Sequence, residues 1–84
     1  MEEEKRNGAP AVHCGSVNDD YGQLQARCHS EAEKLAPRLA AEAGNEWNVP
    51  FWTEDVPELI CVGSFRRTDG GTVMFELDFS QGTL

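Results

Sequence analysis

The chain lacks what several large classes of protein require. No apolar run approaches the ~20 residues that span a bilayer. Positive charge is scarce: seven Lys and Arg stand against fifteen Asp and Glu, for a net charge of −8. Phosphate repels such a surface, which argues against direct nucleic-acid binding, and an anionic membrane surface is disfavoured for the same reason. Cysteine is sparse and odd in number at three, which speaks against a disulfide framework and for a reducing compartment. The opening MEEEKRNGAP is acidic and polar where a secretory leader is basic and then apolar. The expected location is therefore intracellular, in the cytoplasm or a host cell's cytoplasm. No GxGxxG, GxxxxGK or D-x-D-x-D-G pattern occurs, so phosphate-loop and calcium-loop chemistry have no sequence basis. The length of 84 residues fits one domain. A domain of this size buries roughly 60% of its unfolded surface. That leaves little room for a deep catalytic cleft, and the expectation is a protein that works through its surface and is not an enzyme.

The charge that is present is uneven. Residues 1–20 hold five acids against Lys5 and Arg6, residues 21–43 balance three against three, and residues 44–84 hold seven acids against Arg66 and Arg67. Residues 1–11 read as a flexible acidic tail, since Glu2, Glu3 and Glu4 repel one another and Gly8-Ala9-Pro10 has no periodicity. Residues 12–84 read as a single α+β domain.

Within that domain Asn18-Asp19-Asp20 supplies a helix cap. Tyr21, Leu24, Cys28, Ala32, Leu35, Leu39 and Ala43 then recur at helical spacing. The spacing predicts a helix from Asp20 to Ala43, stopped by Gly44 and kinked near Pro37, which removes a donor to the Glu33 carbonyl. Trp47, Val49, Phe51 and Trp52 predict an edge or bulged strand interrupted by Pro50. Glu58–Thr68 and Thr72–Phe79 predict a hairpin across Asp69-Gly70-Gly71. A three-residue loop sets Phe65 opposite Phe75, Gly63 opposite Leu77 and Cys61 opposite Phe79, and keeps Leu59, Cys61, Phe65, Val73, Phe75, Leu77 and Phe79 on one face. The fold expected is one kinked helix on a three-stranded antiparallel meander, with a possible fourth strand over Ala11–Cys14. That element order is similar to cystatin-like and double-stranded-RNA-binding arrangements in order alone, with no motif residue of either.

Two surface features are candidate sites. Antiparallel order brings Glu54, Asp55 and Glu58 to the same end of the sheet as Glu76 and Asp78, five carboxylates for a basic partner. Trp47, Phe51 and Trp52 offer aromatic anchors of the kind found at binding hot spots. The first feature points to a small acidic inhibitor or modulator that presents carboxylates where a nucleic acid's phosphates would sit. Phage anti-defence inhibitors of nucleic-acid-handling machines share its size and charge. The second points to an adaptor, monomeric or homodimeric, that assembles through the aromatic edge and the outward Ile60, Val62 and Met74. A third reading, zinc held by His13, Cys14, Cys28, His29 and Cys61, has the right ligand types but the wrong spacing, because adjacent residues on a helix diverge by about 100°. Neither a metal nor a cofactor is expected. The partner expected is a protein.

Overall fold

Helix α1 (Tyr21–Ala40) and four strands, β1 (Val12–His13), β2 (Glu46–Trp52), β3 (Leu59–Arg67) and β4 (Val73–Asp78), form the α+β fold in a computed structural model that describes residues 10–84. A 3-10 helix follows over Phe79–Gln81. The expected acidic tail falls largely on residues 1–9, outside the described residues. The sheet order is β1-β2-β3-β4. The β2–β3–β4 meander is antiparallel as expected, but β1 pairs parallel to β2, Val12 with Phe51 and His13 with Trp52, so the sheet is mixed. A parallel fourth strand is possible because α1 serves as the crossover that returns the chain to the same end.

The Asp20 carboxylate accepts from the Gly22 N–H and caps α1, as the sequence predicts. The helix runs unbroken through Pro37 and ends at Ala40, earlier than expected. Two causes end it. The N–H groups of Ala41 and Glu42 tighten onto the carbonyls three residues back, Arg38 and Leu39. The Arg67 guanidinium then donates to the carbonyls of Ala40, Glu42 and Gly44. The buried stripe is Leu24, Cys28, Ala32, Ala36 and Leu39. Leu35 is half-buried beside it, and Tyr21 and Ala43 are exposed.

The hairpin register is the expected one. Phe65 pairs with Phe75, Gly63 with Leu77 and Arg67 with Val73, and Gly71 takes φ +88° in the three-residue loop. Pairing stops at Val62–Asp78, short of the expected Cys61–Phe79. There Asp78 accepts from the Ser80 N–H and turns the chain into the 3-10 helix. At Gly63 a Cβ would stand 2.9 Å from ring carbons of Phe51 and Phe65, so only glycine admits both rings.

Pro50 costs the ladder nothing. On the β3 side the Asn45 carbonyl accepts from the Arg67 N–H and the Thr53 N–H donates to the Glu58 carbonyl, while on the other side the Trp52 carbonyl accepts from Cys14. Pro50 shares the parity of Trp52, so its missing N–H faces away from β3. Between the Phe51–Cys61 and Trp52–Leu59 pairs, β3 carries one extra residue, Ile60. This bulge turns Ile60 inward beside Cys61, and both are fully buried. The expected outward placement of Ile60 is therefore corrected.

Candidate protein-binding face

Helix α1 packs on β3 and β4 and covers one face of the sheet. The opposite face is built by the even-numbered rows of the meander. Pro50, Val62 and Asp78 stand side by side, then Asn48, Ser64 and Glu76, then Glu46, Arg66 and Met74. The intervening rows carry Val49, Phe51, Cys61 and Phe65, all buried in the core. Trp52 follows Pro50 on the outer face, half-buried and absent from the residues packed against the core. The outer face thus joins an apolar end, Trp52–Pro50–Val62, to three acids, Glu46, Glu76 and Asp78, with Arg66 as the one cation in these rows.

The acids predicted to converge are placed with more dispersion than their end of the sheet suggests. Glu76 and Asp78 share the outer face, about 7 Å apart by the ~3.4 Å rise of a strand. Glu58 lies four residues before Val62, the partner of Asp78, ahead of the start of β3 and past the Ile60 bulge. Three of the five are engaged within the chain. Asp55 accepts from the Ser16 hydroxyl at 2.6 Å and the Val17 N–H at 3.3 Å, tying the β2–β3 loop to the segment before α1. Asp78 accepts from Ser80 and Gln81, and Glu58 accepts from the Thr83 hydroxyl. The Ser16 bond chiefly holds the Asp55 carboxyl below its ordinary range, and the Ser80 bond does the same for Asp78. Glu54 and Glu76 are exposed.

The aromatic trio divides. Phe51 is fully buried and is core, which corrects its assignment as an anchor: its parity on β2 points it beneath the helix. Trp47 lies on that same inner side, packed against the core, with the Arg67 guanidinium 5.6 Å from its ring centre. Trp52 is the one member of the trio on the outer face.

No protein-family model, curated protein or solved structure matches the chain.

The candidate zinc ligands divide between the core and the surface. Cys14, Cys28 and Cys61 are buried and free, while His13 and His29 are exposed. The His29 ring lies 6.4 Å from that of Phe75 and 6.2 Å from that of Phe79. Among the described residues no group of three or more His, Cys, Asp or Glu is placed to hold a metal ion. No helix among them is long and apolar enough to cross a membrane.

Two further residues matter to the site: Glu46 on the outer face, and Thr53 in the loop beside it. Glu46 joins the acidic rows because its strand begins one residue before Trp47. Thr53 is fully buried, and it closes the β2–β3 loop by donating its hydroxyl to the Val56 carbonyl and accepting the Glu58 N–H. An alternating polar residue just past Trp52 is the pattern that would have marked Thr53 as inward-facing.

Proposed function

We propose that the chain is a small acidic protein-binding domain that inhibits or modulates a basic partner, and that it docks through the outer face of its sheet. The observation that carries this reading is the composition of that face: Glu46, Glu76 and Asp78 beside the apolar group of Trp52, Pro50 and Val62, with α1 packed against β3 and β4 on the other side of the sheet. Protein interfaces combine an apolar centre with a polar rim in this way. A net charge of −8 steers a basic surface toward the chain and repels phosphate. A nucleic-acid-handling protein, whose own groove is basic, is the narrower form of the partner.

The test is affinity capture from a native-host lysate with mass spectrometry, using the wild-type chain and a Glu46→Lys/Glu76→Lys variant as baits at low and high salt. These two acids are exposed strand residues. Reversing Asp78 instead would also remove the cap of the 3-10 helix. The expected result is a basic protein retained by the wild type at low salt, lost at high salt and not retained by the variant. A partner held equally by both baits at both salts refutes the acidic reading.

That outcome would favour the adaptor. The exposed Met74 and the half-buried Trp52 and Val62 support it on the same face, the members of the expected set Trp47, Phe51, Trp52, Ile60, Val62 and Met74 that lie outward. Trp52→Ala would then abolish retention while the charge-reversed variant kept it.

A further inference from the structure

Three thiols meet in the core. The Cys14 and Cys28 sulfurs lie 3.9 Å apart, and Cys61 is buried in the same core cluster. Cys14 follows β1, where its N–H donates to the Trp52 carbonyl at 2.8 Å. Cys28 sits on the buried stripe of α1, and Cys61 on the central strand β3. The binding face uses none of them. Burial pushes the Cys14 thiol up to about 12, and contact with Cys61, then burial, raises Cys28. Held as thiols, they are poor nucleophiles and poor metal ligands. Their proximity leaves oxidation as their chemistry.

We propose that Cys14 and Cys28 are a disulfide-forming pair, cross-linking the first strand segment to the helix when the chain equilibrates with a disulfide oxidant of the glutathione class. A disulfide needs about 2.05 Å between sulfurs, so these must close by about 1.9 Å. Cys14 is the accessible partner: it retains 6% exposure and lies next to the edge strand, whereas Cys28 and Cys61 retain 0%. When the β1 end opens, the Cys14 thiolate attacks one sulfur of oxidised glutathione. The oxidant's S–S bond breaks, a mixed disulfide forms and one glutathione thiolate leaves. The Cys28 thiolate then attacks the Cys14 sulfur and expels the second glutathione thiolate. The two protein thiols give up two protons and two electrons, and the two departing glutathiones take up both.

The full-length chain is refolded from urea in graded mixtures of reduced and oxidised glutathione, and the same mixtures are equilibrated in concentrated urea. Free thiols are alkylated and the linkages read by non-reducing peptide mapping. The expected result is that Cys14–Cys28 dominates in the folded chain, with an oxidation constant at least about tenfold above its value in urea, a shift of about 30 mV. The urea arm matters because loop closure alone favours the nearest pair in sequence. A dominant Cys28–Cys61 or Cys14–Cys61 linkage overturns the proposal, as does a Cys14–Cys28 constant no larger in the folded chain than in urea.

Discussion

Replacing Arg67 by Met keeps most of the side chain's apolar stem and removes its guanidinium. In the wild type that group donates from Nε to the Gly44 carbonyl at 3.0 Å, from Nη1 to Ala40 at 3.0 Å, and from Nη2 to Glu42 at 2.7 Å and Leu39 at 3.5 Å. It therefore answers carbonyls at the end of α1, that of Ala40 among them, and it lies against Trp47. The part-buried bond to Ala40 is worth about 1 kcal/mol. Positive charge at a helix C-terminus adds about 0.5–1 kcal/mol. The aromatic contact adds about 0.5–1 kcal/mol. The bonds to Gly44 and Glu42 are exposed, and water replaces them at little cost. The expected loss is about 2–3 kcal/mol, on the order of 10–20 °C in midpoint for a domain this small. Arg67→Lys keeps the charge but not the planar fork, so it should recover about half of the loss. Urea unfolding followed by tryptophan fluorescence measures both. A Met variant within about 0.5 kcal/mol of wild type, or a Lys variant equal to it, would show that the fork is not what ends the helix.

Other perturbations test the remaining contacts. Gly63→Ala should cost about 1–3 kcal/mol, read by chemical denaturation, because the new methyl meets the rings of Phe51 and Phe65. An unchanged midpoint would mean those rings are not packed there. Asp55 has a depressed folded pKa, so its contribution is present above the ordinary value of 3.8 and is lost as pH falls through the lower folded value. Asp55→Asn should flatten that acid limb of a stability–pH profile, and an identical limb in both proteins would count against the Ser16 tie. Cys14 has the opposite displacement. Its contribution is complete below its ordinary 9.0 and declines as pH rises toward about 12. Under reductant the urea midpoint should fall across that window, and a midpoint constant from pH 9 upward contradicts the buried thiol.

Where a single periodicity governed a segment, the sequence was legible. The Asp20 cap, the Cys28 and Leu39 stripe, and the Phe65–Phe75 register follow from local rules, and each is present. The bulge was not legible, because Leu59-Ile60-Cys61-Val62 is apolar throughout and gives no phase. Only the pairing with Phe51 and Trp52 shows that Ile60 is the extra residue. The parallel sense of β1 was equally hidden in a two-residue strand. On the candidate face, the outward parity of Glu76 and Asp78 was readable. That Trp52 shares their face, and that Phe51 does not, depends on how β2 sits beside β3. The hydrogen bonds that occupy Asp55 and Glu58 come from Ser16 and Thr83, distant in sequence and carrying no local signal.

The parallel seating of β1 also has a consequence for the order of assembly. The β3–β4 pairing closes over a tight loop, whereas Val12 meets Phe51 only after the helix and β2 have formed between them. Non-local pairings of this kind wait for the local ones, and a strand of two residues adds little cooperativity once it arrives. Segment 12–14 is thus expected to open more readily than the β2–β3–β4 meander. In native-state hydrogen exchange the Cys14 amide, bonded to Trp52, should be freed by a smaller opening than the amides of the β2–β3–β4 meander.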